Sequence, residues 1–269
     1  MKISVLASGS KGNSTLVSSE QANILVDAGI SCRELCRKIG ALGLSPCDIS
    51  AILVTHSHTD HFKGLESLQK KQGIPLFASE ETASAIDYFF RKSPAFEEIS
   101  LQWNYVSPGS TFVFKDLSIT PFEVPHDANG AVGYTIEQDG VKLGIATDLG
   151  CVTNSVKYHL SGCDALVLEM NHDFDMLRQS NRPELLKSRI SGKLGHLSND
   201  QAIDFLEELD TSKLKYLFPA HLSAECNDFS IVKSAILSLN KERFFKVVET
   251  SQNEATALID IAVNNLKVS

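Results

Sequence analysis

The chain has 269 residues, 43% hydrophobic and 22% charged, which is enough apolar material for a large buried core and ordinary for a water-facing protein. A formal net charge of −8 argues against broad electrostatic capture of a polyanion and leaves room only for a local basic patch. The apolar runs are too short to span a bilayer, and no secretory h-region or CxxC pair is read. The six cysteines are therefore expected to be small hydrophobes in a reducing cytoplasm, with no membrane partner.

Apolar and β-branched residues predict strands at Ile3–Ala7, Thr15–Ser18 and Ile24–Asp27, with a glycine- and serine-rich loop, Ser8–Ser14, after the first. A helix over about Cys32–Leu42 and a strand at Ala51–Thr55 follow. The spacing of Phe62, Leu65 and Leu68 predicts a helix that Gly73 ends. Ile74–Ala78 reads as a strand and Glu80–Lys92 as a helix. Four strands come next, Thr111–Lys115, Leu117–Val124, Val132–Gln138 and Val141–Thr147, and Asp139-Gly140 between the last two is a strong hairpin signal. After a helix at Val152–Leu160, the last third alternates strand Ala165–Met170, helix Asn199–Leu209, strand Tyr216–Ala220 and helix Asp228–Leu239, then strands Lys246–Thr250 and Ala257–Ile261. This is mixed α/β without tandem repeats. No linker divides it, so one domain over residues 1–269 is expected, with helices outside two packed sheets.

Residues 55–61 read Thr-His-Ser-His-Thr-Asp-His, which places three of the eight histidines within six positions. Imidazole and carboxylate are the usual nitrogen and oxygen ligands of first-row divalent ions. Neighbouring side chains point in different directions, so one ion cannot easily take His56, His58, Asp60 and His61 together, whereas two ions a few ångströms apart can share them. A histidine-rich solvated loop is the bland alternative. His126, Asp148 and His221 each follow an apolar strand as well, and residues at matching strand ends gather at one edge of a sheet. Alone, each reads as a structural histidine, or as a turn or capping aspartate.

Together these residues resemble the metallo-β-lactamase superfamily: an early strand ending in Asp27, the His-x-His-x-Asp-His run, then a lone His, an Asp and a final His. The resemblance spans nearly the whole chain and implies a four-layer αββα sandwich. It further implies that His56, His58 and His126 bind one divalent ion, that Asp60, His61 and His221 bind a second, and that Asp148 bridges them. Zinc or manganese suits these donors, and iron also fits. Ser8-Gly-Ser-Lys-Gly-Asn13, Leu168-Glu-Met-Asn-His172-Asp, Gly195-His-Leu-Ser-Asn199 and Pro219-Ala-His221-Leu-Ser look most like the bacterial YycJ/WalJ-like group of nucleases. That likeness implies hydrolysis of nucleic acid, DNA rather than RNA, as a 5′-to-3′ exonuclease. Only 72 residues (149–220) separate Asp148 from His221, so the larger β-CASP insertion of related nucleases is absent.

The same resemblance assigns catalytic roles to His196 and Glu169, and Asp60, a short carboxylate beside His61, is expected to orient the hydroxide as well as bind metal. Metal-activated hydroxide would attack phosphorus, His196 would touch the scissile phosphate, and Glu169 would orient His196 and raise its pKa. Ser10, Asn13, His172, Lys187 and Arg189 are candidate substrate contacts. A plain turn is the alternative for the loop residues Ser10 and Asn13, and a structural role for His172. Lys187 and Arg189 belong to the basic stretch 178–193, which holds Arg178, Arg182 and Lys193 as well, against Glu184 alone. Such a run is more often a solvated face, but it leads straight into His196. Two competing readings stay open: a small-molecule thioester or lactone hydrolase on the same fold, and a non-catalytic metal-binding protein.

Overall fold

The computed structural model describes residues 1–92, 101–239 and 245–262. In chain order the strands are β1 (Lys2–Ala7), β2 (Ser14–Ser18), β3 (Asn23–Val26), β4 (Ile49–Leu53), β5 (Leu76–Ala78), β6 (Trp103–Tyr105), β7 (Phe112–Phe114), β8 (Leu117–Glu123), β9 (Val132–Gln138), β10 (Val141–Ala146), β11 (Ala165–Glu169), β12 (Tyr216–Ala220), β13 (Lys246–Val247) and β14 (Ile259–Asp260). The helices are α1 (Cys32–Ala41), α2 (Thr59–Phe62), α3 (Leu65–Gln72), α4 (Glu80–Arg91), α5 (Asn154–Leu160), α6 (Phe174–Gln179), α7 (Glu184–Ile190), α8 (Asn199–Glu208) and α9 (Phe229–Ser238).

Local chemistry explains the boundaries. Ser31, Ser79, Thr153 and Ser198 cap α1, α4, α5 and α8 by accepting a backbone N–H three residues on. Gly73 ends α3 in the left-handed conformation. Asp139 and Gly140 both have positive φ, the condition for a tight turn whose twist matches its strands, and they close the β9–β10 hairpin.

Two seven-stranded sheets form, in the orders β14-β1-β2-β3-β4-β5-β6 and β13-β12-β11-β10-β9-β8-β7. Successive residues of the inner strands are apolar but serve opposite faces. Ile24, Val26, Ala51 and Leu53 enter the core between the sheets, while Leu25, Ile52 and Val54 pack beneath α1, α3 and α4. A third core under α5, α8 and α9 holds Val156, Leu160, Phe205, Leu206, Val232 and Ile236. These layers make the four-layer αββα sandwich.

The sheets follow one plan. Strands β1 to β6 and strands β8 to β13 each begin with two antiparallel pairings and continue with three parallel ones reached through helices. Each third strand runs out into Asp-x-Gly, Asp27-Ala-Gly29 after β3 and Asp148-Leu-Gly150 just beyond β10, with the aspartate at φ 63° and 57°. The repeat lies in the pairing plan of the two sheets.

Several elements differ from the sequence reading. β3 and β4 stop short of Asp27 and Thr55, because Asp27 in the left-handed region turns the chain off the sheet. The last two strands shrink to two residues each. β6, α6 and α7 had not been foreseen: β6 is three residues long, and the basic stretch offers only one helical turn or two at a time.

Candidate metal centre

The loops after β1, β3, β4, β8, β10, β11 and β12 all leave the sandwich at the same edge. The strand directions make this so, since two antiparallel pairings restore the direction that the parallel pairings then keep. His56–His61 run from β4 into α2, His126 follows β8, and Asp148 and His221 follow β10 and β12. His221, like Asp148, sits in the left-handed region, at φ 56°. Non-glycine residues are rare there, and such conformations persist where the surroundings impose them.

Two groups of side chains converge. In the first, the rings of His56, His58 and His126 stand 4.8 to 4.9 Å apart, with His126 Nε2 3.1 Å from His58 Nδ1. In the second, Asp60 Oδ2 lies 3.5 Å from His61 Nε2 and 3.7 Å from His221 Nε2. Asp148 lies between them: Oδ2 is 3.2 Å from His61 Nε2, and Oδ1 is 3.9 Å from His126 Nε2.

The outward ring nitrogens of this cluster are held by the protein. His61 Nδ1 pairs with Asp27 Oδ2 at 2.7 Å, and Asp27 is itself fixed by the N–H and hydroxyl of Thr55. His126 Nδ1 donates to the Gly195 carbonyl at 3.2 Å, and His221 Nδ1 to Glu169 Oε1 at 2.9 Å. His56 Nδ1 meets the Thr55 hydroxyl at 3.0 Å. Fixing one nitrogen sets the tautomer and turns the other inward, as metal-binding histidines require.

Charge divides the cluster. Burial holds His56, His58 and His126 below the ordinary imidazole value, which keeps them neutral. Burial opposes protonation of His61 and His221 too, but nearby carboxylates, Asp148 foremost, outweigh it and raise both. Burial likewise works to raise Asp60 and Asp148, and the surrounding imidazoles hold both below the usual carboxylate range.

A family model described as "Beta-lactamase superfamily domain" matches residues 22–221. Exodeoxyribonuclease YycJ of Bacillus anthracis is 34% identical over 249 residues, 93% of this chain and 92% of that protein. The chain belongs to the metallo-β-lactamase superfamily. Exodeoxyribonuclease WalJ of Streptococcus pneumoniae is 33% identical over 267 residues, covering 97% of this chain and 98% of its own length. Among solved structures, Zn(2+)-bound PqqB from Methylobacterium extorquens superposes with a TM-score of 0.70 at 19% identity, covering 97% of this chain and all of that one, which shows the shared fold. As a member, the chain is a metal-dependent hydrolase.

The donors present suit divalent ions. Three groups drawn from these residues, and a fourth that joins Asp148 and His221 to Glu169 and His196, each offer ligand atoms within 4.8 Å of one another. Among the described residues, His56 Nε2, His221 Nε2 and Asp148 Oδ2 are buried without a hydrogen-bond partner. Buried polar atoms are normally paired, so three such orphans within one cluster of donors mark a place suited to cations.

Glu169 and His196 complete the floor. Glu169 is fully buried: Oε1 accepts from His196 Nδ1 at 2.8 Å and from His221, while Oε2 accepts the backbone N–H groups of Leu149 and Leu197. Burial works against a charged His196, but the Glu169 charge and hydrogen bond outweigh it and raise its pKa. Above lies a pocket of about 200 Å³ lined by His58, Asp60, Asp148, His196 and His221, with Ser10, Asp127, Asn171, Arg182 and Arg189 among its walls.

The expected substrate contacts divide. Ser10 and Arg189 line the pocket; Asn13, His172 and Lys187 do not. Asn13 is buried, its Oδ1 accepting from Gly9 and its Nδ2 set against His61 and Asp60. The loop amides of Gly9, Lys11, Gly12 and Asn13 are all bonded within the protein, so they do not form a phosphate cradle. His172 is buried beside α8, and its backbone carbonyl accepts from Asn199. Lys187 turns back to the Arg178 carbonyl and Glu184. Residues two apart on a helix point about 200° apart, so Lys187 and Arg189 cannot face one site. The basic stretch is also less free than it reads, because Arg178 pairs with Asp175, Arg182 with Glu225 and Arg189 with Asp127. Sequence reasoning missed Asp127, and it named Arg182 only as part of the basic stretch. Adjacency to His126 was the available signal for the first.

Proposed function

We propose that the chain is a single-domain, dinuclear metal phosphodiesterase that hydrolyses nucleic acid, with DNA preferred to RNA and cleavage proceeding 5′ to 3′. The carrying observation is His196. It lines a pocket shared with the candidate ligands, its Nδ1 is held by Glu169, and among the described residues its other nitrogen has no hydrogen-bond partner and is left for substrate. Full-length similarity to two proteins named exodeoxyribonucleases supports the same reading.

His56, His58 and His126 would hold one ion, Asp60, His61 and His221 a second, and Asp148 would touch both, with zinc, manganese or iron suited to the donors. Bound there, divalent ions acidify a water and neutralise charge developing on phosphoryl oxygens. The chain's own residues supply the rest. Glu169 keeps the His196 imidazolium in place, and His196 donates a hydrogen bond to a phosphate oxygen or a proton to the leaving oxygen. Asp60, a quarter exposed at the pocket floor, accepts from the attacking water. Arginine in the pocket wall favours a phosphate over a neutral lactone or thioester.

The test is cleavage of end-labelled single- and double-stranded DNA and RNA with added zinc or manganese, running wild type beside Asp60→Ala and His196→Ala. Metal-dependent products shortening from the 5′ end, lost in both variants while His196→Ala keeps its metal, are expected. Intact oligonucleotides with turnover of a thioester or lactone would replace the reading with the small-molecule one.

A further inference from the structure

Asp127 has no part in the chemistry above, yet it stands at the meeting point of the metal cluster and the pocket wall. Its side chain is a quarter exposed and lines the pocket. Oδ1 is 3.5 Å from His58 Nε2 and 3.4 Å from His126 Nε2, while Oδ2 accepts from Arg189 Nε at 2.6 Å. One carboxylate thus touches two candidate ligands and the arginine of the opposite wall.

Arg189 needs such a partner. It stands on α7, a seven-residue helix whose apolar anchor is Ile190 in a small cluster with Leu177 and Cys226. Its side chain is 62% exposed, and among the described residues its only hydrogen bond is the one from Nε to Asp127. A long exposed side chain otherwise samples many rotamers, and binding a ligand in one of them carries an entropic cost. Fixing Nε sets the plane of the guanidinium and leaves both Nη groups open. That free edge is the fork that matches two oxygens of a phosphate. As a stability device, a pair this exposed contributes little. A carboxylate beside the pocket also repels an anion unless a cation accompanies it, so the pair has meaning for a phosphate ligand only as a unit.

We infer that Asp127 is a positioning residue: it braces His58 and presents the Nη edge of Arg189 to a phosphate oxygen in the pocket, so that the cluster and its roof act on one phosphate. This rests on the phosphodiester reading above. The experiment uses the full metal-loaded chain as wild type, Asp127→Ala, Arg189→Ala, the double variant and Arg189→Lys. Bound metal, affinity for inorganic phosphate, and kcat and KM on a single-stranded DNA oligonucleotide are measured. The metal complement is expected to stay intact, and phosphate binding to weaken about tenfold or more in either single variant. KM should rise more than kcat falls, the double variant should lose no more than the singles, and Arg189→Lys should recover little, because an ammonium has no fork. Losses that add in the double variant, metal loss in Asp127→Ala, or unchanged phosphate affinity would each overturn the assignment. Coupled phosphate binding without DNA cleavage would remove the nuclease reading and leave the positioning role standing. DNA cleavage with unaltered variants would do the reverse.

Discussion

Glu169→Gln is the sharpest perturbation the site offers, because the carboxylate serves four donors at once. Oε1 receives His196 Nδ1 at 2.8 Å and His221 Nδ1 at 2.9 Å; Oε2 receives Leu149 N at 2.7 Å and Leu197 N at 3.1 Å. An amide has one accepting oxygen. Whichever way it is turned, its NH2 group faces two N–H donors that it cannot satisfy. Each buried donor so orphaned costs about 1–3 kcal/mol, so roughly 2–6 kcal/mol is lost from a typical total of about 5–15. For a chain of this size that corresponds to a Tm lower by roughly 5–20 °C. Burial already disfavours the Glu169 anion, and the His196 charge and the bonds from His196 and His221 are what keep its pKa low. Removing the anion therefore also removes the partner that keeps His196 protonated, and turnover near neutral pH should fall by about 10- to 100-fold. The assay is thermal unfolding of metal-loaded and chelator-treated protein beside turnover on a labelled oligonucleotide. A Tm within about a degree of wild type, with unchanged turnover, would refute the four-donor account.

Gly29→Ala should fail for steric reasons, since a Cβ there would stand 1.6 Å from the Asp60 carbonyl oxygen. The expected result is little folded protein, or folded protein with reduced metal content, whereas Gly40→Ala, which meets nothing within 4 Å, should raise stability by about 0.5–1 kcal/mol. His172, pulled by burial from 6.5 to about 4, predicts a pH effect. Above pH 6.5 both states are neutral; as pH falls from there towards 4 the unfolded chain gains a proton that the native one refuses, and up to about 3 kcal/mol is lost. Denaturant titrations should therefore show His172→Gln losing less stability than wild type across that window, and parallel losses would count against a buried neutral imidazole.

The candidate ligand run was plain in the sequence because its chemistry is local: His56, His58, Asp60 and His61 need only their spacing and the strand before them. His126, Asp148 and His221 carried weight only through the pattern they complete, since each owes its place to a strand direction, and Asp148 and His221 to a left-handed turn as well, that one sequence does not display. What supports the ligands was mostly hidden. The Gly195 carbonyl behind His126 is a backbone atom 69 positions away, and no residue type announces it. Asn13 and Lys187 went astray for one reason: a reading along the chain locates a residue without the direction of its side chain. Glycine and serine suggested a loop open to substrate, but Asp60 and, from the far end of the sequence, Gln252 close it.

Because each sheet takes its strands from one stretch of chain in nearly unbroken order, most pairings close over short distances, and the antiparallel bond of β1 with β14 is the distant exception. Short closures form early, so each half can assemble its sheet before the halves meet. The candidate ligands are divided between them, four from the first half and three from the second. Ions that together gather these seven would therefore find their sites only after docking, too late to guide the search. Loading the protein with metal is accordingly expected to slow its unfolding while leaving its refolding rate almost untouched. In a cell, such an ion would govern how long the assembled sandwich lasts, and have little say in how soon it forms.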